Sequence, residues 1–74
     1  MDTIKVVLAD DDAGMRLVVR HMLERVEGFT LVGEAADGDA PLELVEKHHP
    51  QICFLDVEMP GKSGVECARI IQDM

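Results

Sequence analysis

Four acids in this 74-residue chain stand where they could act on a metal ion or a phosphoryl group: Asp10, Asp11, Asp12 and Asp56. Each group follows directly on an apolar run. Ile4-Lys5-Val6-Val7-Leu8-Ala9 leads into Asp10-Asp11-Asp12. Ile52-Cys53-Phe54-Leu55 leads into Asp56, and Val57-Glu58-Met59 with a Pro60-Gly61 turn follows. A short uninterrupted apolar run reads as a strand buried on both faces, and Pro-Gly ends it. Both acid groups are therefore expected at the carboxyl ends of buried strands, where open parallel sheets place their ligands.

Carboxylates gathered in one pocket repel each other. Two unit charges 4 Å apart cost about 4 kcal/mol at an effective dielectric of about 20. No basic neighbour is expected beside these acids in this chain, so the cluster calls for a cation. Oxygen-only ligands suit Mg²⁺ or Mn²⁺ rather than zinc. Mg²⁺ typically takes one or two carboxylates together with phosphate oxygens. An aspartate at a strand end beside such an ion is a candidate phosphoryl acceptor: its carboxylate attacks, and the metal neutralises the developing charge. The plainer reading is that Asp10–Asp12 cap a helix and Asp56 opens a turn. One strand end alone would leave the two readings level; two strand ends aimed at one place favour the pocket.

The elements that must position these acids can be read in order. Residues 4–9 form a first strand. Asp12 caps a helix over about 13–26, with Met15, Val18, Val19, Met22, Leu23 and Val26 as its apolar stripe and Gly28 as its stop. Residues 29–35 form a second strand; Thr30 and Glu34 break its apolar character and place it at a sheet edge. Asp37-Gly38 marks a turn. A second helix covers about 39–48, with Pro41 in its first turn and Pro50 ending it. Residues 52–56 form the third strand. Ser63 and Glu66 make a capping box for a third helix, with Val65, Ala68, Ile71 and Met74 on its inner face. The alternation β-α-β-α-β-α predicts a parallel sheet with right-handed crossovers in a single α/β domain.

Val7-Leu8-Ala9-Asp10-Asp11-Asp12, Ala36-Asp37-Gly38 and Phe54-Leu55-Asp56-Val57-Glu58-Met59-Pro60-Gly61 resemble, in order and spacing, the receiver domain of two-component response regulators. The resemblance runs the length of residues 1–74 and implies a flavodoxin-like receiver fold, here β1-α1-β2-α2-β3-α3 with sheet order 2-1-3. It implies that Asp56 is the phosphoacceptor, that Asp11 ligates Mg²⁺ directly, and that Asp10 holds metal-bound water. Asp56 itself joins the metal site, and Glu58 lends its backbone carbonyl. The implied partner is a sensor histidine kinase or a phosphotransfer protein, in the cytoplasm, and the implied role is signalling rather than enzymatic turnover. The family's fourth and fifth strands carry a Ser/Thr and a Lys that grip the phosphoryl group. These positions have no counterpart in the 74 residues, so this partial receiver domain is expected to be a poor acceptor by itself. Pro41 stands where the family usually has a small helix former.

Two other readings stay in view. A haloacid-dehalogenase-like phosphatase would use Asp10 as nucleophile in Asp10-x-Asp12, although Gly14 stands where that motif usually has Thr or Val. A structural or assembly half-domain would carry out no phosphotransfer. The net charge of −8 argues against nucleic-acid binding by this segment and against attraction to an anionic membrane, and leaves room for a DNA-binding output domain in a longer parent. No apolar run approaches the ~20 residues of a transmembrane helix, and no signal peptide is legible. Cys53 and Cys67 read as reduced, mostly buried thiols. His21, His48 and His49 read as solvent-exposed or helix-end charges, and the methionines as core filler and termini. The third strand carries no Lys, Pro or other edge protection, so a homodimer through its open edge is expected.

Overall fold

The computed structural model describes residues 3–74. Its centre is the strand Ile4–Ala9 (β1), in which Val6, Val7, Leu8 and Ala9 are all buried. Successive strand side chains point to opposite faces. Val6 with Leu8 and Val7 with Ala9 therefore fill two cores, one on each side of the sheet. Ala13–Glu24 (α1), Phe29–Ala35 (β2), Ala40–His48 (α2), Ile52–Leu55 (β3) and Gly64–Gln72 (α3) follow. The sheet is parallel with order β2-β1-β3, as the sequence predicts, and β2 lies at an edge.

The direction of travel reverses after β2, so right-handed crossovers place α1 on one face and α2 on the other. α2 rests on β1 and β2 and touches α3, which covers β3. The register between β1 and β2 slips between Val6 and Val7, where Leu31 and Gly33 are the successive partners. Gly33 makes room for α2, because a Cβ there would lie 2.7 Å from Leu44 Cδ2.

Two helix faces differ from the sequence expectation. α1 ends at Glu24 rather than near Val26. The amides of Arg25 and Val26 turn back to the carbonyls of Met22 and Leu23, closing a tighter last turn. Of its apolar stripe, only Val19 and Leu23 are half-buried; Met15, Val18, Met22 and Val26 are exposed. The cause is that α1 packs chiefly on β2, leaving the rest of its apolar surface without a neighbour among the described residues. α3 is rotated from the expected face: Gly64 and Cys67 are buried and Ile71 half-buried, whereas Val65, Ala68 and Met74 are exposed. The capping box at Ser63 and Glu66 forms as read. The turn of the helix is set by Cys67, whose thiol donates to the Gly38 carbonyl at 2.9 Å. Met15 and Met22 are not core filler, being 49% and 63% exposed, whereas Met59 is half-buried and Met74 is an exposed terminus.

Candidate functional site

Ala9 and Leu55 face each other across β1 and β3, and the next residues are Asp10 and Asp56. The ladder continues one step past both strand ends. The Asp56 amide donates to the Ala9 carbonyl at 2.9 Å, and the Asp10 amide to the Ala35 carbonyl at 3.0 Å. Both backbones are thus fixed by the sheet while their side chains leave its carboxyl edge. Carboxylate oxygens of Asp10, Asp11 and Asp56 lie within 4.8 Å of one another. Asp10 and Asp56 are half-buried and Asp11 is exposed.

Asp12 stands apart from this cluster. Its Oδ1 accepts from the amides of Gly14 at 2.8 Å and Met15 at 3.2 Å, the capping role read from sequence. Asp10 Oδ1 accepts from the Asp12 amide at 2.9 Å, which bends the acidic run back on itself. Asp10 and Asp11 therefore face the strand end while Asp12 faces the helix.

The Asp56 carboxyl is held above the usual carboxylate range. Loss of solvent is the largest cause, and the negative charge of Asp10 adds to it; the amides of Val57 and Glu58 act in the opposite sense. Glu58 is exposed. The donor set is oxygen only, with neither imidazole nor thiolate, and three converging acids raise one another's need for a counter-charge. That chemistry fits Mg²⁺ or Mn²⁺.

The loop after β3 is fastened at several points. Gly64 donates to the Val57 carbonyl at 3.0 Å, and Gly38 to the Pro60 carbonyl at 2.9 Å. Lys62 Nζ meets Asp39 Oδ1 at 2.8 Å. A Cβ on Gly64 would collide with the Asp56 backbone carbonyl, so glycine is what lets α3 start this close to the acid. The Asp37-Gly38 turn is built by Asp37 Oδ1, which accepts from the amides of Asp39 and Ala40. Asp39 makes no side-chain cap on α2. Sequence reasoning found this turn but not its attachment to the acidic loop.

It also missed Arg16. The sequence reading placed no basic group beside the acids, yet Arg16 Nη1 donates to the Asp10 carbonyl at 2.6 Å. The signal was Arg16's place one turn after Asp12, on the helix whose cap adjoins the acids. Glu34, read as an edge-strand acid, approaches Arg16 Nε at 3.9 Å and Arg20 Nη1 at 3.1 Å.

Known proteins are similar to this chain in sequence and in fold. The sequence pattern of the response regulator receiver domain matches residues 6–74. Transcriptional regulatory protein PdtaR of Mycobacterium tuberculosis is 42% identical over 64 residues, covering 86% of this chain and 31% of that protein. A protein-glutamate methylesterase/protein-glutamine glutaminase of Oleidesulfovibrio alaskensis is 43% identical over 68 residues, covering 92% of this chain and 18% of that protein. The signal receiver domain of the response regulator NarL from Mycobacterium tuberculosis superposes with a TM-score of 0.94 at 36% identity, over 99% of this chain and 59% of that one. The response regulator domain of Thermotoga maritima CheB superposes with a TM-score of 0.91 at 31% identity, over 96% of this chain and 53% of that one.

The chain belongs to the response regulator receiver family of two-component systems. It spans less than a third of the curated relatives named here. No helix among the described residues is long and apolar enough to cross a membrane.

Proposed function

We propose that Asp56 is the phosphoacceptor of a cytoplasmic two-component pathway, receiving its phosphoryl group from the phosphohistidine of a sensor kinase or phosphotransfer protein. The observation that carries this reading is the convergence of Asp10, Asp11 and Asp56 oxygens within 4.8 Å at the carboxyl edge of the sheet. Asp10, Asp11 and Asp56, with the Glu58 carbonyl, would hold Mg²⁺ or Mn²⁺. That ion supplies charge neutralisation for the phosphoryl oxygens. An Asp56 carboxylate oxygen forms the new O–P bond, the P–N bond to the donor imidazole breaks, and the imidazole keeps the electron pair and takes a proton. The half-buried setting of Asp56 keeps bulk water away from one side of the acyl phosphate.

The family's Ser/Thr and Lys positions lie beyond this stretch of sequence. The 74-residue polypeptide alone is therefore expected to label slowly, since one lost preorganised donor can cost about 2.7–4 kcal/mol. The test uses the receiver domain at full length, with acetyl phosphate and Mg²⁺, read by intact mass and peptide mapping. One phosphoryl group on Asp56, abolished in Asp56→Asn and retained in Asp12→Asn, is the expected outcome. Labelling that persists in Asp56→Asn and maps to Asp10 would replace this reading with phosphatase-type chemistry.

A further inference from the structure

Arg16 sits between two parts of the molecule that the acidic site does not otherwise connect. Its Nη1 donates to the Asp10 carbonyl at 2.6 Å, and its Nε lies 3.9 Å from Glu34 Oε1. The other Glu34 oxygen accepts from Arg20 Nη1 at 3.1 Å. A chain of charge-assisted contacts therefore runs from α1 through the β2 edge and back to the acidic loop: Arg20, Glu34, Arg16, Asp10. The Arg16 side chain is 22% exposed, the least of the three. A planar guanidinium with donors in fixed directions is suited to such bridging, where a lysine would supply only a point charge.

The Asp10 backbone is held from opposite sides. Its amide is bound to the Ala35 carbonyl and its carbonyl to Arg16. That carbonyl belongs to the peptide joining Asp10 to Asp11. Rotating this peptide swings the two carboxylates relative to one another and to Asp56. We infer that Arg16 is a positioning residue: through the Asp10 carbonyl it sets the spread of the Asp10 and Asp11 carboxylates for a divalent cation, with Glu34 orienting the guanidinium. The inference rests on the metal reading above.

Simple electrostatics predicts the opposite sign, which makes the inference sharp. Removing a positive charge near an acidic cluster should tighten cation binding. Removing a group that positions the ligands should weaken it, because outer-shell partners of metal ligands typically contribute ten-fold or more to affinity. Arg20 is the internal control. It carries the same charge and shares Glu34, and it makes no hydrogen bond to the acidic loop among the described residues.

The experiment titrates Mg²⁺ alone into the chain and its variants, following the amide resonances of Asp10, Asp11 and Asp56. Arg16→Ala should raise the Mg²⁺ Kd roughly tenfold. Arg16→Lys should recover part of that loss, and Arg20→Ala should leave the Kd unchanged or lower it. In metal-free buffer the Asp10 carbonyl carbon should shift upfield in Arg16→Ala and not in Arg20→Ala, because it loses its charged donor. Should Arg16→Ala fail to fold, Glu34→Gln replaces it and should weaken Mg²⁺ binding in the same direction. A folded Arg16→Ala or Glu34→Gln that binds Mg²⁺ as tightly as the parent overturns the inference while the metal reading stands. Absence of Mg²⁺ binding by the parent chain overturns both.

Discussion

The backbone N–H of Gly38 donates to the carbonyl of Pro60 at 2.9 Å, joining the turn after β2 to the loop that follows Asp56. The approach is so close that a Cβ on Gly38 would strike the backbone carbonyl of Lys62. Backbone cannot give way as a flexible side chain can, so Gly38→Ala must push the two loops apart. Overpacking of this sort typically costs about 1–3 kcal/mol. A lowered urea midpoint with an unchanged denaturant slope is the expected result. The Cys67 thiol, which donates to the Gly38 carbonyl, should become more reactive in the same variant. Wild-type stability in Gly38→Ala would mean that the two loops are not tightly joined in solution.

Asp56 should be a residue that the fold tolerates rather than needs. Its carboxyl pKa in the folded chain lies above the ordinary value, through loss of solvent and then the Asp10 charge. The folded state therefore holds that proton more tightly than the unfolded chain does. Stability falls as pH rises from the unfolded value of 3.8 through the raised folded value, and the penalty is complete at neutral pH. Asp56→Asn should accordingly melt higher than the parent at pH 7 without metal, and the difference should vanish well below pH 3.8. Saturating Mg²⁺ should narrow it too, because the ion stabilises only the parent's folded site, by about 2.7 kcal/mol at a hundredfold excess over Kd. Equal melting temperatures at both pH values would show that Asp56 is well solvated.

Asp37 has the opposite sign. Hydrogen bonds from the Ala40 amide and then the Asp39 amide hold its carboxyl below the usual range. Its contribution is present above the unfolded value of 3.8 and is lost as pH falls through the lower folded value. Asp37→Ala should destabilise the chain at pH 7 and make little difference at a pH low enough to protonate Asp37 in both states. Urea melts at the two pH values check this. A destabilisation that persists undiminished at low pH would assign the role of Asp37 to packing rather than to its charge.

The two crossovers and the gathering of Asp10, Asp11 and Asp56 were legible because each rests on a local pattern, and the sheet order followed from the resemblance to the receiver family. Apolar runs ending in acids mark strand ends, and Ser63 with Glu66 marks a helix start. The attachments between loops were not legible. Nothing near Gly38 in the sequence says that Pro60 and Cys67 will reach it, since those contacts depend on where α3 sits. Arg16 carries no local mark of its role, which depends on where Asp10 and Glu34 on neighbouring elements lie. Helix faces misled for a related reason. A stripe of Met15, Val18 and Met22 shows that α1 is amphipathic, not which of its residues find a neighbour. α3 is turned by its contact with Gly38, which its own periodicity does not encode.

The 74-residue polypeptide should associate with itself. β3 pairs with β1 along one edge, and no strand covers its other edge among the described residues. Ile52, Cys53, Phe54 and Leu55 offer none of the charges or prolines that protect natural edges, and Phe54 is 45% exposed. On α1, Leu17, Val18 and Met22 are exposed as well. A folded monomer of 8.2 kDa is expected to expose about 4,500 Å², whereas this chain exposes 5027 Å². The simplest closed solution is a two-fold dimer that pairs β3 with β3 antiparallel, giving a six-stranded sheet and burying both Phe54 side chains. Sedimentation equilibrium at micromolar concentration should return twice the chain mass, and Phe54→Lys should move the equilibrium toward monomer. A parent that unfolds cooperatively while sedimenting at 8.2 kDa would show that the open edge of β3 is protected within the single chain.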